Sequence, residues 1–592
     1  MRNGRCVTAR ANGRAGSSGK HSAAGRGVTA RNHKSWKKRA DRLATRIIAS
    51  ALAYLMGAWP VMAQQPNVII PDGRTQTQLQ TSGNVTNITT TTVSGPNGFN
   101  SFSKFGVGAG NTVNLQLPGG TQNLINLVRD APAYVNGTLN AYKDGRIGGN
   151  VYFADPYGFV VGKSGVVNVG SLNVSTPTRE FMDSVISPAG QINQGAVNNL
   201  LAGTVPISPD GNIRIKGRVN AVDAVRLTGQ NVFVGSNARD AANRDHAVKF
   251  ASTVNSRGLR SANGIVVRNG RIQIVAANDA KVNGRLKARR GGTISVAAGR
   301  DVSIGSKARI SASNKNGAGG AVNITADRNV VVSGFGVVSA KSINGDAGTV
   351  RVIAGRSLTV EAGAVFDASS AQGNAGLVEL SSFGAFHFAQ GFKVNVDAPN
   401  GHAGTLLLDP TDLTIGDSGN VTMSNADVAA AVSAESSGTL TLVANQFTLN
   451  SDGVIDTRKG STAINLVVNA AGGITIDGVI DARSYAGARV ATLLVDAATT
   501  THSTANSGSV TLNSTGGSIS IGSTGKIFAE VNNTTGVGAT TYTGGAVTLA
   551  ASRNDTSPIG VTPTNAVSNI SIAGAISGDT ITATSNATAV TS

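Results

Sequence analysis

Between Gly292 and Gly404 the chain repeats itself. Glycines fall at Gly292, Gly320, Gly348, Gly376 and Gly404, a constant step of 28 residues, and apolar residues keep the same step. Ile294, Val322, Val350, Val378 and Leu406 form one column, and Val296, Ile324, Val352, Leu380 and Leu408 a second. Val302, Val330, Leu358 and Phe386 form a third column, and Ile304, Val332, Val360 and Phe388 a fourth. Ile310, Val338, Phe366 and Val394 form the last. Within each unit, apolar and polar residues alternate, which is the period of a strand and not of a helix. Each unit therefore predicts about three short strands, and no single unit can bury its own apolar face. Stacked units can, because every column becomes a continuous ladder of like side chains. The expected fold is all-β: a right-handed parallel β-helix (solenoid) with an N-terminal cap and small helical or loop decorations. An array of separate small β-sandwiches is the alternative, but a 28-residue unit is too short for one.

The same alternation extends both ways. Toward the N-terminus it predicts strands at Val68–Ile70, Val113–Leu117, Val151–Phe153 and Val166–Val169. Past Gly404 the register slips to a looser theme of two alternating apolar residues, a Gly-bearing turn and a third apolar residue. Examples are Phe447-Thr448-Leu449 before Ile455, Ile474-Thr475-Ile476 before Ile480, Ile519-Ser520-Ile521 before Ile527 and Ile570-Ser571-Ile572 before Ile576. Arg179–Leu201 and Ala238–Val254 break the strand pattern and read as short helices or decorating loops on the solenoid surface. Ser424, with Asp427 three residues on, predicts a capping box opening a short helix over Ala426–Val432. No terminating cap is legible over Ile581–Ser592, so a truncated chain or the stub of a longer filament is expected.

Residues 1–46 are basic and Gly/Ser-rich, Ile47–Val61 is an apolar run, and Val61-Met62-Ala63 precedes Gln64. Basic, then apolar, then small-x-small is the order of a secretory signal peptide, with cleavage expected between Ala63 and Gln64 and inner-membrane export machinery as a transient partner. The apolar run is short of the roughly 20 residues of a membrane anchor. The expected divisions are 1–63 as an extended signal peptide, 64–290 as an N-terminal β-helix with insertions, 291–404 as regular repeats and 405–592 as irregular repeats.

Composition narrows the function. The 592 residues include 75 Gly and one Cys, with 4% aromatic and 14% charged residues. The cysteine is Cys6, so a chain cleaved after Ala63 has no disulfide. The formal charge of +19 is uneven: residues 1–63 hold 13 bases against one acid, 214–290 hold 16 bases against 4 acids, and 400–592 hold 6 bases against 13 acids. The densest basic run is Arg285, Lys287, Arg289 and Arg290, and its first three members alternate with Leu286 and Ala288, on one side of a strand. These four are the candidate residues for an anionic glycan or other anionic surface. Scarce aromatics argue against nucleic acid as a specific partner.

Enzyme signals are few. His246, His387, His402 and His502 are scattered without metal-ligand spacing, and neither a nucleophile elbow nor a phosphate loop is present. Asp409 and Asp412 sit on a turn, and Asp452/Asp456 and Asp477/Asp481 recur beside matched turns, which reads as repeat architecture rather than calcium chemistry. No cofactor or metal is expected.

Several motifs resemble a known family. Asn100-Ser101-Phe102-Ser103-Lys104-Phe105-Gly106-Val107, Asn123-Leu124-Ile125-Asn126-Leu127-Val128, the run Gly149–Gly162 and Val167-Asn168-Val169-Gly170-Ser171-Leu172 resemble the secretion domain of two-partner secretion exoproteins, the filamentous haemagglutinin group. Where that family usually has Asn-Pro-Asn-Gly-Ile/Val, this chain has Asp155-Pro156-Tyr157-Gly158-Phe159, keeping the Pro and Gly of the turn. Phe181–Ile186, Gly211–Gly217 and Ala247–Ala251 before Val254-Asn255 resemble the leukotoxin-like subgroup of filamentous adhesins. The resemblance implies a capped β-helix recognised by a dedicated outer-membrane β-barrel transporter with periplasmic domains. The chain is then expected to cross that transporter extended and to fold at the cell surface as a non-enzymatic adhesin. It also implies that Asn100, Phe102, Phe105, Asp155, Pro156, Tyr157, Gly158 and Phe159 carry transporter recognition. A secreted β-helix polysaccharide lyase or hydrolase, or the stalk of a larger toxin, are the alternatives.

Overall fold

The computed structural model describes residues 65–235, 264–267, 270–459, 462–484, 506–530, 544–555 and 569–589. From residue 97 onward successive coils pair in parallel, strand on strand, around one apolar interior.

Over the regular repeats the 28-residue step is the register. Ile294 pairs with Val322, Val322 with Val350, Val350 with Val378 and Val378 with Leu406. The columns from Val302 to Phe386 and from Ile310 to Val394 stack the same way. Every side chain named in these columns is at most 5% exposed. The glycine step has its own cause. A Cβ on Gly320, Gly348, Gly376 or Gly404 would lie 1.8–2.0 Å from the carbonyl oxygen of the matching glycine one coil below, so no side chain fits in that column.

Beyond Gly404 the coils change length but not architecture. Leu413–Ile415, Phe447–Leu449, Ile474–Ile476, Ile519–Ile521 and Ile570–Ile572 stack as one parallel sheet. Ile455, Ile480, Ile527 and Ile576 stack as another. Each coil keeps its apolar ladder while surface loops absorb the inserted residues. The helix Asn425–Ala434 carries the expected capping box: Ser424 Oγ accepts from Asp427 N–H, and Asp427 accepts from Ser424 N–H at 3.0 Å. Its Asp427 also accepts from Phe388 N–H at 2.5 Å, pinning the helix to the coil edge.

The N-terminal cap differs from the coils in being antiparallel. Val68–Pro71 pairs antiparallel with the strand Asn97–Val107, and the hairpin Thr77–Ser82/Val85–Thr90 rests in parallel on Thr112–Gln116. The outer hairpin strand, Thr-Gln-Leu-Gln-Thr-Ser, is largely exposed and shields the first coil.

The break at Arg179–Leu201 is two helices, Arg179–Val185 and Gln194–Ala202. They do more than decorate the solenoid surface. Phe99, Ile125, Leu127 and Ala154 point outward from the first coils, and Met182, Val185, Ile186, Val197 and Leu200 cover them as a second apolar core. The non-alternating run Leu124-Ile125-Asn126-Leu127 supplies both cores at once. Ala238–Val254 lies outside the described residues.

Candidate functional site

The segment implied in secretion folds around the turn Asp155–Phe159. Asp155 is fully buried, and its carboxylate accepts from Ala133 N–H at 2.7 Å and Tyr157 N–H at 2.8 Å. Burial pushes its carboxyl up to about 7, against the backbone donors of Tyr157, Ala133 and Gly158, which hold it down. Gly158 adopts φ +115, and a Cβ there would sit 2.3 Å from the carbonyl oxygen of Asn212 on the next coil. No other residue meets both demands.

Phe102, Phe105, Phe153 and Phe159 form an internal aromatic zipper with ring centroids 5.3, 5.1 and 5.1 Å apart along the series. All four are at most 1% exposed. Asn100 is buried as well: Thr77 Oγ1 donates to its Oδ1 at 2.9 Å, and its Nδ2 donates to Asn126 Oδ1 at 3.0 Å. Of the eight residues expected to carry transporter recognition, only Tyr157 is partly exposed, and its hydroxyl accepts from Arg179 at 2.9 Å. In the folded rod the other seven are core and turn, not surface. Ala63 and Gln64 lie outside the described residues.

Two features of this region escaped the sequence reading. The first is a set of asparagine ladders. Asn114, Asn140, Asn168 and Asn220 each donate through Nδ2 to the Oδ1 of the asparagine one coil below, starting on Asn87, at 2.8–3.0 Å. Asn150 to Asn123 to Asn97 is a second ladder. Their step of 26–28 residues as far as Asn168 was a legible signal, and the step of 52 to Asn220, which spans the helical pair, was not. The second feature is an ion cluster. Arg129, 5% exposed, donates to Asp72 at 3.0 Å, to Asp183 at 2.8 Å and to the carbonyl of Ile186 at 3.1 Å. Arg74 donates to the same Asp183 at 2.6 Å, and Ser101 Oγ to Asp72 at 2.6 Å. Burial, and then the neighbouring Arg74, lower the Arg129 pKa, with Asp72 and Asp183 opposing. The cluster ties the cap, the first coil and the helical pair together. These partners lie far apart in sequence and share no periodicity.

The basic stretch of 214–290 is not one face. Arg214 and Lys281 lie on one ladder of strands, Arg226 and Arg271 on a second, and Arg218, Arg285 and Lys287 on a third. Arg218 is buried, and burial followed by Arg285 pushes it down to about 10. Arg285, Lys287 and Arg289 do alternate outward from buried Leu286 and Ala288. Lys287, Arg289 and Arg290 line one cleft together with Lys315 of the next coil, whereas Arg285 stands outside its lining.

The acids are structural. Asp409–Asp412 is a corner between the strands Thr405–Pro410 and Asp412–Ile415, where Asp412 accepts from Gln446 N–H at 3.0 Å. Arg483 holds both oxygens of Asp481 at 2.9 Å and lies 4.3 Å from the ring centroid of Phe528. His387 is exposed between buried Phe386 and Phe388. No group of three or more His, Cys, Asp or Glu is placed to hold a metal among the described residues.

No curated protein matches the chain. Among solved structures it is similar to the HMW1 secretion domain from Haemophilus influenzae, at 15% identity over 76% of this chain and 95% of that one, with a TM-score of 0.28. It is also similar to the filamentous hemagglutinin secretion domain, at 16% identity over 57% of this chain and 99% of that one, with a TM-score of 0.23. The model of the TPS (two-partner secretion) secretion domain matches residues 67–376, more than half the chain. The stretch it matches contains the antiparallel cap, the buried Asp155–Phe159 turn and most of the regular coils, and the chain belongs to the exoproteins of two-partner secretion, which cross the outer membrane with a dedicated transporter as partner.

Proposed function

We propose that this chain is an adhesin-type exoprotein whose transporter reads it unfolded, and which folds coil by coil at the cell surface. Residues 1–63 act as the signal peptide, removed after Ala63. Residues 64–290 carry the secretion function, and 291–404 and 405–592 extend the rod. The observation that supports this reading most is the burial of the recognition segment. Asn100, Phe102, Phe105, Asp155, Pro156 and Phe159 are all buried in the closed coil. A partner that reads them meets them before the coil closes. Closing then hides them in the core, so folding outside withdraws the recognition elements and makes export one-way. A solenoid suits this route because each coil contacts only its neighbours and can close as it emerges.

The test is export itself. Replacing Pro156→Ala and Gly158→Val together should abolish appearance at the surface and in the medium while synthesis stays intact. Normal export of that variant overturns the assignment. Val352→Asp, far from the segment, should be exported at normal levels yet be protease-sensitive, which separates recognition from folding.

A further inference from the structure

Two clefts open side by side where residues 270–316 turn. The smaller, about 560 Å³, is lined by Lys287, Arg289, Arg290 and Lys315 with Ser313 and Asn314, and no carboxylate lines it. The larger, about 690 Å³, is lined by Asn173, Arg226, Arg271 and Gln273, with Asp223 as its one acid. Arg290 lines both. Asn173, Arg226 and Gln273 are register partners on successive coils, so the larger cleft runs along the rod at about 4.8 Å per coil.

The residue at the junction is strained. Arg290 sits at φ +57, in the left-handed region, and is followed by Gly291 at φ +70. The matched positions one, two and three coils on, Ala318, Asp346 and Asn374, are not left-handed. A long side chain held in that conformation marks a position where the backbone serves the placement of the side chain. Arg226 is fixed as well, donating to the carbonyl of Ala202 at 2.7 Å and to Gln273 Oε1 at 3.2 Å. The cations crowd one another: burial lowers the Lys287 ammonium, and Arg289 and Arg285 lower it further. A bound anion relieves that crowding.

We propose that the two clefts form one groove that binds a linear acidic oligosaccharide laid along the rod. Lys287, Arg289, Arg290 and Lys315 hold its carboxylate or sulfate groups, and Asn173 and Gln273 hydrogen-bond its hydroxyls. The site deepens, and rests on, the adhesive role proposed above. The axial run calls for a polymer and the four clustered cations for negative charge. No aromatic side chain lines either cleft, which disfavours bases and favours sugar.

The experiment measures binding of fluorescent oligogalacturonate and of sulfated dextran oligomers to the purified full-length secreted chain at low salt. Neutral dextran and a single-stranded oligonucleotide of matched charge serve as comparators. The decisive variant is Arg290→Gly, because glycine suits the left-handed backbone, and the strain it relieves offsets the entropy it adds to the unfolded chain. Arg290→Gly should weaken binding about tenfold or more with the unfolding midpoint unchanged or raised, while Arg285→Ser changes it by no more than about twofold. Preference for oligogalacturonate or for sulfated dextran identifies the acidic group. Equal loss in both variants makes the attraction a diffuse charge effect and overturns the groove. Binding of the oligonucleotide as tight as that of the sugar overturns the glycan class, and absence of binding at low salt overturns the site. Because the chain is assayed after purification, failure here leaves the export reading intact, and failed export leaves this result intact.

Discussion

Arg129 and Asp183 meet at 2.8 Å although 54 residues separate them. Through Asp72, Arg74 and the carbonyl of Ile186 the same cluster spans the cap, the first coil and the helix that covers it. The cap therefore locks only once residues up to 186 are in place, which makes the cluster a late checkpoint in closing the N-terminal end of the rod. Arg129→Met leaves Asp72 and Asp183 without their shared buried cation and should cost about 3 kcal/mol locally. The expected readout is faster amide exchange and protease cleavage within 65–202, with the 292–404 coils unaffected. Equal destabilisation of both regions would contradict a local lock.

The Asp155 carboxyl makes the Asp155–Phe159 turn pH-dependent. Its folded pKa, about 7, lies above the ordinary value of 3.8. Between those values the folded turn keeps a proton that the unfolded chain has released. The stability it contributes is therefore full at low pH and is lost as pH rises from about 4 through about 7, by on the order of 4 kcal/mol at most. Protection factors of the Ala133, Tyr157 and Gly158 amides should fall over that window. In Asp155→Asn, which cannot titrate, the slope should vanish.

Asn168 stands in the middle of its ladder, donating to Asn140 at 2.8 Å and accepting from Asn220 at 2.8 Å. Asn168→Ala strands an acceptor on one side and a donor on the other. The expected cost is about 2 kcal/mol, seen as a lower denaturant midpoint. Replacing the partly exposed Asn87 at the ladder's start should cost less. The ladder stops at Asn220 because the next coil places Val266 there, leaving Asn220 Oδ1 without a hydrogen-bond partner.

Val352 is fully buried in the second repeat column. Val352→Asp puts an unpaired charge in the interior and should cost more than about 4 kcal/mol. The matched control is His387→Asp, exposed on the same repeat block and expected to stay within about 0.5 kcal/mol. Ser357, half-buried on the same block, would make a poorer control, since its Oγ donates to Asn329 Oδ1 at 2.8 Å. Equal protease sensitivity of the two variants would break the register argument.

The repeat was legible because a solenoid writes its tertiary contacts into local sequence. One strand period and one coil period together fix which residues point inward, so Val352 and Phe366 could be placed from numbering alone. The looser C-terminal theme was legible for the same reason, since loop insertions lengthen a coil without moving Ile474 off Phe447 or Ile519 off Ile474. The motif around Asp155–Phe159 was legible as a turn but not as interior, because burial of a turn depends on the coil that lands on it, here Asn212 against Gly158.

The sequence by itself determined the strand periodicity, the glycine column and the capping box at Ser424, because each rests on residues within one coil or on a constant step between coils. Only the tertiary structure decided that the helical pair at Arg179–Ala202 is the lid of a second core, that Arg129 joins Asp72 to Asp183, and that the strand-borne bases among the described residues of 214–290 divide over three ladders with Lys315 completing the cleft. Those outcomes depend on how far each coil is rotated and how many residues each loop inserts. Neither quantity has a period, and charges spaced irregularly along the chain carry no mark of the face on which they will meet.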